Sequence, residues 1–578
     1  MNRQNISQLL KGLLIAKSLF VLGLLTPSIA AAATGTATLD DVKDTNYSIP
    51  DNAYFVSPDG KDTNSGIDAN SPWSVDKAIN SAPSGSTIVF RGGIYRNVNT
   101  TIRKKLTLQA YPQEKPMLKG SIEVTGWVAD GNMWRKDGWN YSFPPNIGSE
   151  FIDPQHPMAG YRDMVYVDGV ALKQVKTKAE VVPGTFYVDA VNKQLYIGEN
   201  PTTKTVESTA YDAAFFMWKG GSSDPSGTVI RGLGFAHYAD RAIGVGAPNV
   251  ILENNTFVWN GQQGVVTIGI NNNSIIRGNI FSYNGRVGLR ASASNQMLLE
   301  NNTFSYNNVE RFSKIWDAAG AKITQTDGLI ARNNLFENNS SNGLWIDISS
   351  TNSKIVHNIS RYNEALGIFM EISHKAIIAS NLSHNNGIGI MVSNSSSARI
   401  YNNTLANNNR NIWIKDTKRN NTNSTEIAAG ITWIARDHVI KNNILSNTNG
   451  GPFLEAANCD TREPSKLMIA ATDSNAYYRT SSKTPRTMFK WAFDASNCSV
   501  GYNSVAAFSS ATNYEQRALL IEDVATNPFF VDQVNGDYRL KPGSPAIKRG
   551  EALPADIASA IGVDPGVSVD LGMLQPTR

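Results

Sequence analysis

From about residue 228 onward the apolar and polar positions recur in a fixed unit: apolar, any residue, Asn, any residue, apolar, then Asn in a turn, then Gly and an alternating run. Copies run from Leu252 to Phe257, Ile276 to Phe281, Leu299 to Phe304, Ala331 to Phe336, Ile400 to Leu405 and Ile440 to Leu445. Successive copies start 24 residues apart at 252 and 276, and 32 apart at 299 and 331. A period of this size with strand-like alternation and no helical return predicts an all-β solenoid, a right-handed parallel β-helix. Asn284, Asn307, Asn339, Asn363, Asn386 and Asn408 share one repeat position, where stacked amides hydrogen-bond from rung to rung.

Upstream the texture changes. Residues 53–120 hold short strand-like runs and one amphipathic stretch in which Ser74 is the expected N-cap and Val75, Ala78, Ile79 and Ala82 share a face. It suits a helical plug for the open end of the solenoid. Residues 121–227 have irregular spacing, several Trp and Tyr, and hairpin-like pieces such as Thr185–Asp189 and Gln194–Ile197, which predicts an inserted antiparallel region. Residues 228–450 are the central rungs. Residues 451–578 are read as C-terminal rungs and a cap, with 527–546 as the terminal rung and its cap.

Residues 1–33 have a basic start (Arg3, Lys11, Lys17), an apolar run Ser18–Leu25 and small residues up to Ala33. This is the pattern of a cleaved signal peptide, which predicts a secreted or periplasmic protein with no membrane segment. Without those residues the formal charge falls from +4 to +1, a balance that calls for neither nucleic acid nor an anionic membrane as partner. Cys459 and Cys498 are the two cysteines; a disulfide and two inert thiols both fit.

Candidate chemistry emerges when the rungs are aligned on the glycine opening one strand: Gly264, Gly288, Gly320, Gly343, Gly367 and Gly387, with Asn411 last. Positions one and three beyond it are mostly apolar and point inward, so positions two and four point outward. The outward column at position two reads Val266, Arg290, Lys322, Trp345, Phe369, Gly389, Trp413, and that at position four Ile268, Ser292, Thr324, Asp347, Glu371, Met391, Lys415. Exposed aromatics with interspersed charges suit a sugar chain. Asp347 and Glu371 fall on consecutive rungs, about 4.7–4.9 Å apart. That approaches the roughly 5–5.5 Å between the two carboxyls of a retaining glycosidase. The alternative is a pair merely neutralised by Lys322 or Lys415. His374 and His384 lie nearby in sequence, and residues 309–320 form a longer loop expected to wall the face.

The segments Asn342–Asp347 and Phe369–His374, with the opening Tyr54–Gly66 and Ser71-Pro72-Trp73, resemble glycoside hydrolase family 120, the β-helical β-xylosidases. The resemblance implies Asp347 as nucleophile, Glu371 as general acid/base, and Trp345 and His374 lining the sugar subsite, with no cofactor. Ser373 stands where the family pattern has Asn. Phe369, Arg290, Lys322, Trp413 and Lys415 are the further candidate substrate contacts. Two other readings remain open. One is a uronate-cleaving polysaccharide lyase using Arg290, Lys322 or Lys415 as base, with Ca²⁺ as its cofactor. The other is a non-catalytic glycan binder. In each case the partner is a poly- or oligosaccharide.

Overall fold

The computed structural model describes residues 37–269 and 271–574; the expected signal segment lies outside them. The chain winds as a right-handed parallel β-helix with three faces, each a sheet of 13 strands. The first sheet runs from Tyr54–Val56 to Ile469–Asp473, the second from Gly93–Tyr95 to Leu519–Glu522, and the third from Thr100–Thr101 to Val500–Tyr502. Each turn of the solenoid contributes one short strand to each sheet, and the last strand of the third, Val500–Tyr502, folds back antiparallel on Phe489–Trp491. Among the described residues no helix is long and apolar enough to cross a membrane.

The repeat explains the winding. Phe235, Phe257, Phe281, Phe304 and Phe336 point inward from successive second-sheet strands and stack with ring centroids 4.7–5.1 Å apart. That is the rung spacing of a parallel sheet. The turn asparagines form two ladders, one more than the sequence pattern suggested. Between the second and third sheets, Asn260, Asn284, Asn307, Asn339, Asn363, Asn386 and Asn408 are linked side chain to side chain at 2.8–3.2 Å. Between the first and second sheets a parallel ladder runs from Asn255 through Asn279, Asn302, Asn334, Asn358, Asn381, Asn403 and Asn443 to Asn475. Each buried amide is thereby paired, as the interior requires.

Both ends are closed by short helices. Ser74 caps Val75–Ser81 by accepting from the Lys77 N–H, and Val75, Ala78 and Ile79 join the core. At the far end Val505–Thr512 places Phe508 4.3 Å from Phe489. Residues 527–546 are not the terminal rung and cap expected of them. Phe530–Asp532 and Asp537–Leu540 pair as an antiparallel hairpin. Phe529, Phe530 and Tyr538 lay it against the outer side of the second sheet, over Leu382, Ala406 and Ile444. The helix Ala555–Ile561 covers Ile377, Ala379 and Tyr401 of the first sheet in the same way. Apolar residues at outward positions of these rungs make the folding-back favourable.

Between Ser121 and Thr209 two small, mainly antiparallel sheets leave the solenoid, and Phe215–Trp218 rejoins the third sheet beside Thr100–Thr101. Lys119, Arg96 and Glu207 form ion pairs at the root of this excursion, with His237 buried beside them. Cys459 and Cys498 are joined in a disulfide.

Candidate active site

On the third sheet Asn342–Asp347 and Leu366–Glu371 are neighbours, with Trp345 opposite Phe369 and Ile346 opposite Met370. The next positions along are Asp347 and Glu371, so the two carboxylates share one outward column on consecutive rungs. Leu344, Ile346, Ile368 and Met370 point inward into the core.

One rung of the sequence alignment was slipped by two residues. Phe369 pairs with Met391 and Trp413 follows, while Glu371 pairs with Ser393 and Lys415 follows. The outward residues of that rung are therefore Met391 and Ser393, not Gly389 and Met391. The glycine equivalent to Gly367 is Gly389, whose position leaves a Cβ only 2.7 Å from the Asn411 carbonyl oxygen. Gly387 is equally crowded, against the Ala365 carbonyl, so either glycine satisfied the pattern. A slip of two preserves the side of the sheet.

The aromatics are also less exposed than expected. Trp345 is 2% and Phe369 7% accessible, and together with Met391 they form an outer apolar cluster on which Trp413 packs. Trp345 and Phe369 stack at 5.1 Å, and the Lys322 ammonium lies 3.4 Å from the Trp345 ring centroid. They are covered by neighbouring parts of the chain and do not form an open platform. Two loops cover them. The first, after Thr303–Ser305, packs Phe312 and Ala318 against Ile147, Ile152 and Ala159 of the insert, and it delivers Asp317. The second, residues 416–434, carries the short helix Ser424–Ala428 and delivers Arg419.

Electrostatics link these parts. The Lys322 ammonium, which donates to the Trp316 carbonyl, forms an ion pair with Asp347 Oδ2 at 2.9 Å and lies 3.8 Å from Asp317. Asp317, deeply buried, also meets Arg286 at 3.1 Å and Arg290 at 3.5 Å. Burial opposes its charge, but these three cations prevail and hold its carboxyl below the ordinary range. Glu371 is pushed the other way, above the ordinary range, first by burial and then by the Asp347 charge. Arg419, donating from Nη2 to Glu371 Oε1 at 2.6 Å, offsets only part of this.

The backbone just after each acid is unusual. Ile348 and Ile372 sit at φ 42° and 37°, in the left-handed region that β-branched residues avoid. The turn aims the Ile348 N–H at its own neighbour, Asp347 Oδ1, at 2.7 Å. On other rungs this corner is occupied by Gly269, Ala293, Gln325 and Asn394.

Of the residues singled out in the sequence, Asp347, Glu371, Lys322, Trp345 and Phe369 converge directly. Arg290 joins them through Asp317. His374 opens the adjacent first-sheet strand, where its Nδ1 is 2.7 Å from Ser396 Oγ, and Gly430 of the second loop passes over its ring. Trp413 and Lys415 lie two rungs beyond Glu371. His384 is not part of this face: it projects from the second sheet, under Tyr538. Asp317 and Arg419 were not foreseen. Both arrive on loops, and the sequence signal for those loops is the stretched repeat, 32 residues between Asn302 and Asn334 and 40 between Asn403 and Asn443.

A family model described as a right handed beta helix region matches residues 241–405. No curated protein matches the chain. Among solved structures it is similar to XylC in complex with xylose, at 16% identity over 83% of this chain and 87% of that one, with a TM-score of 0.59. A glycoside hydrolase structure aligns at 13% identity over 70% of this chain and 95% of that one, TM-score 0.42. Pectate lyase Pel9A aligns at 14% over 93% and 99%, TM-score 0.39. At these identities the likeness is one of fold.

Proposed function

We propose that this protein is a carbohydrate-active enzyme, specifically a retaining glycoside hydrolase with Asp347 as nucleophile and Glu371 as general acid/base. The observation that carries the reading is the pair itself: two largely buried carboxylates in one outward column on adjacent strands, with unequal surroundings. Asp347 has the Lys322 ammonium as countercharge and its own neighbouring amide as orienting donor. Glu371, buried and facing the Asp347 charge, has its proton affinity raised, as a general acid requires. In the first half-reaction Asp347 attacks the anomeric carbon while Glu371 protonates the departing oxygen. In the second, Glu371 takes a proton from the water that releases the sugar. The strand spacing of about 4.8 Å favours this covalent route over direct attack by water, which needs roughly 6.5–9.5 Å between the carboxyls.

The fold likeness to XylC, a structure with xylose bound, and the motif resemblance to glycoside hydrolase family 120 both support a sugar substrate. The Cys459–Cys498 disulfide supports an oxidising compartment, in keeping with a signal segment at residues 1–33.

The test is a panel of glycans and aryl glycosides incubated with the wild type, Asp347→Asn and Glu371→Gln, with product anomer followed by NMR. Release of product with retained configuration, lost in both variants, supports the reading. Inverted product, or cleavage that yields an unsaturated uronate absorbing in the ultraviolet, overturns it.

A further inference from the structure

The acid/base reading leaves one contact unexplained: Glu371 is tied to a guanidinium. Arg419 comes from the loop 416–434, not from the solenoid, and Nη2 also lies 3.2 Å from Asn394 Oδ1 and 3.5 Å from Ser393 Oγ. Its Nε is 3.2 Å from Thr417 Oγ1. Nη1 makes no hydrogen bond among the described residues, and a third of the side chain is accessible. The loop is anchored independently of Arg419. The Asn394 amide donates to the carbonyls of Thr417 and Trp433, the Trp433 indole N–H donates to Ser349, and Ser349 donates to Glu426. Arg419 is therefore a planar cation on a fixed base, with one edge on Glu371 and one edge free.

Its position along the axis is informative. Asp347 lies one rung to one side of Glu371, and Ser393, which Arg419 also reaches, lies one rung to the other. Further in that direction comes Lys415, 5.2 Å from the Trp413 ring and in no ion pair among the described residues. Beside the same loop a cavity of about 380 Å³ is lined by Thr417, Lys418, Asn420 and Arg436, together with Asp416 and Glu463.

We propose that Arg419 and Lys415 form a carboxylate-binding subsite for the leaving sugar, so that the preferred substrate carries a uronosyl residue on the leaving side of the scissile bond. This rests on the hydrolase reading for the word "leaving" and on geometry for the rest. The sugar attacked by Asp347 occupies the Asp347 side of Glu371, so a residue on the opposite side meets the aglycone. A planar carboxylate matches the fork of an arginine, which a hydroxymethyl group does not. Binding such a carboxylate draws Arg419 off Glu371 and leaves that side chain to the glycosidic oxygen. Arg419 thus acts as both a specificity and a positioning residue.

The experiment compares oligosaccharides bearing a reducing-end uronate with the same molecules after reduction of the carboxyl to a primary alcohol. Wild type, Arg419→Gln and Arg419→Lys are assayed by chromatography. The wild type is expected to favour the acidic form by about tenfold or more in kcat/KM, the preference collapsing in Arg419→Gln and surviving partly in Arg419→Lys. Because Arg419 opposes the rise in Glu371 proton affinity, the alkaline limb of the Arg419→Gln pH profile moves to higher pH. Equal rates on both forms, or one uniform loss on both in Arg419→Gln with an unmoved profile, overturn the subsite. Calorimetric titration of glucuronate and of the acidic oligosaccharide into wild type, Arg419→Gln and Glu371→Gln separates the two readings. Arg419-dependent uronate binding with no cleavage upholds the anion subsite while the hydrolase falls. Cleavage without such binding does the reverse.

Discussion

The third sheet is bounded by two corners that solve the same problem differently. At the corner entering it, Asn260 to Asn408 repeat one residue on seven rungs, and every amide is satisfied by its neighbours. Asn339 donates to the Phe304 carbonyl and to Asn363 Oδ1, and it accepts from the N–H and the amide of Asn307. At the corner leaving the sheet the column varies, through Gly269, Ala293, Gln325, Ile348, Ile372 and Asn394, and the two isoleucines sit at φ 42° and 37° beside the two acids. Uniformity gives a corner whose interactions are mutual and local. Variation gives a corner that is strained and asymmetric, and the acids stand there with unequal environments. The comparison separates what holds the rod together from what a site needs, since strain and unpaired charge persist only where the surrounding structure fixes them.

The largest effect is expected at the second corner and on turnover alone. Glu371→Gln should lower kcat by about 10²–10⁴-fold while the thermal midpoint stays near that of the wild type. An equal loss of stability would put the acid among the structural elements instead. At the first corner the prediction is inverted. Asn339→Ala removes four hydrogen bonds inside the protein, leaves the Asn307 N–H without its acceptor, and should cost on the order of 2–4 kcal/mol in denaturant unfolding, with little change in KM.

The ladder between the first and second sheets offers a finer probe, because it ends on a carboxyl. Asn475 donates to Glu515 Oε1 at 2.7 Å, and Thr472 donates to the same oxygen. Burial raises Glu515 from an ordinary 4.5 to about 7. A raised carboxyl binds its proton more tightly in the folded state, so its contribution is complete below pH 4.5 and is lost as pH rises through about 7. Glu515→Gln should flatten the fall in stability across that window, measured by denaturation at successive pH values. The smallest effect is a gain: Ile348, 37% exposed, loses little burial on replacement. Ile348→Asn should stabilise the fold by about 1 kcal/mol by relieving the left-handed strain. Asn keeps the left-handed φ and the backbone N–H that holds Asp347 Oδ1, so turnover should stay near that of the wild type; a fall would show that the strain itself takes part in catalysis.

The solenoid was legible in the sequence because its determinants repeat. Asn, Phe and Gly recur at fixed offsets, and each copy confirms the others. Asp347 and Glu371 were legible for the same reason: alternation along a strand fixes which side they take. The register slip at Gly387 and Gly389 arose where two glycines two residues apart fit the pattern equally. Features outside the repeat were harder to read. Asp317 and Arg419 reach the site through single-copy loops, whose paths depend on contacts such as Asn394 with Trp433 that no periodicity encodes. Trp345 and Phe369 read as exposed because strand alternation says which side a residue faces, not what covers that side. The fold-back of Phe530–Asp532 and Asp537–Leu540 was hidden likewise, since a hairpin and a terminal rung share the same short alternating strands.

A stack of identical rungs is also a ruler with a fixed division. Duplicating one coil upstream of Ala319 would lengthen the rod and leave the two acids on adjacent rungs. Inserting between Asp347 and Glu371 one rung that carries no acid in this column would set the acids two divisions apart, about 9.6 Å. That is at the upper end of the roughly 6.5–9.5 Å at which a water fits between the acids and configuration is inverted. A fold of this kind can therefore change the stereochemistry of a two-acid reaction by gaining one rung copied from elsewhere in the stack, with no change in the acids themselves.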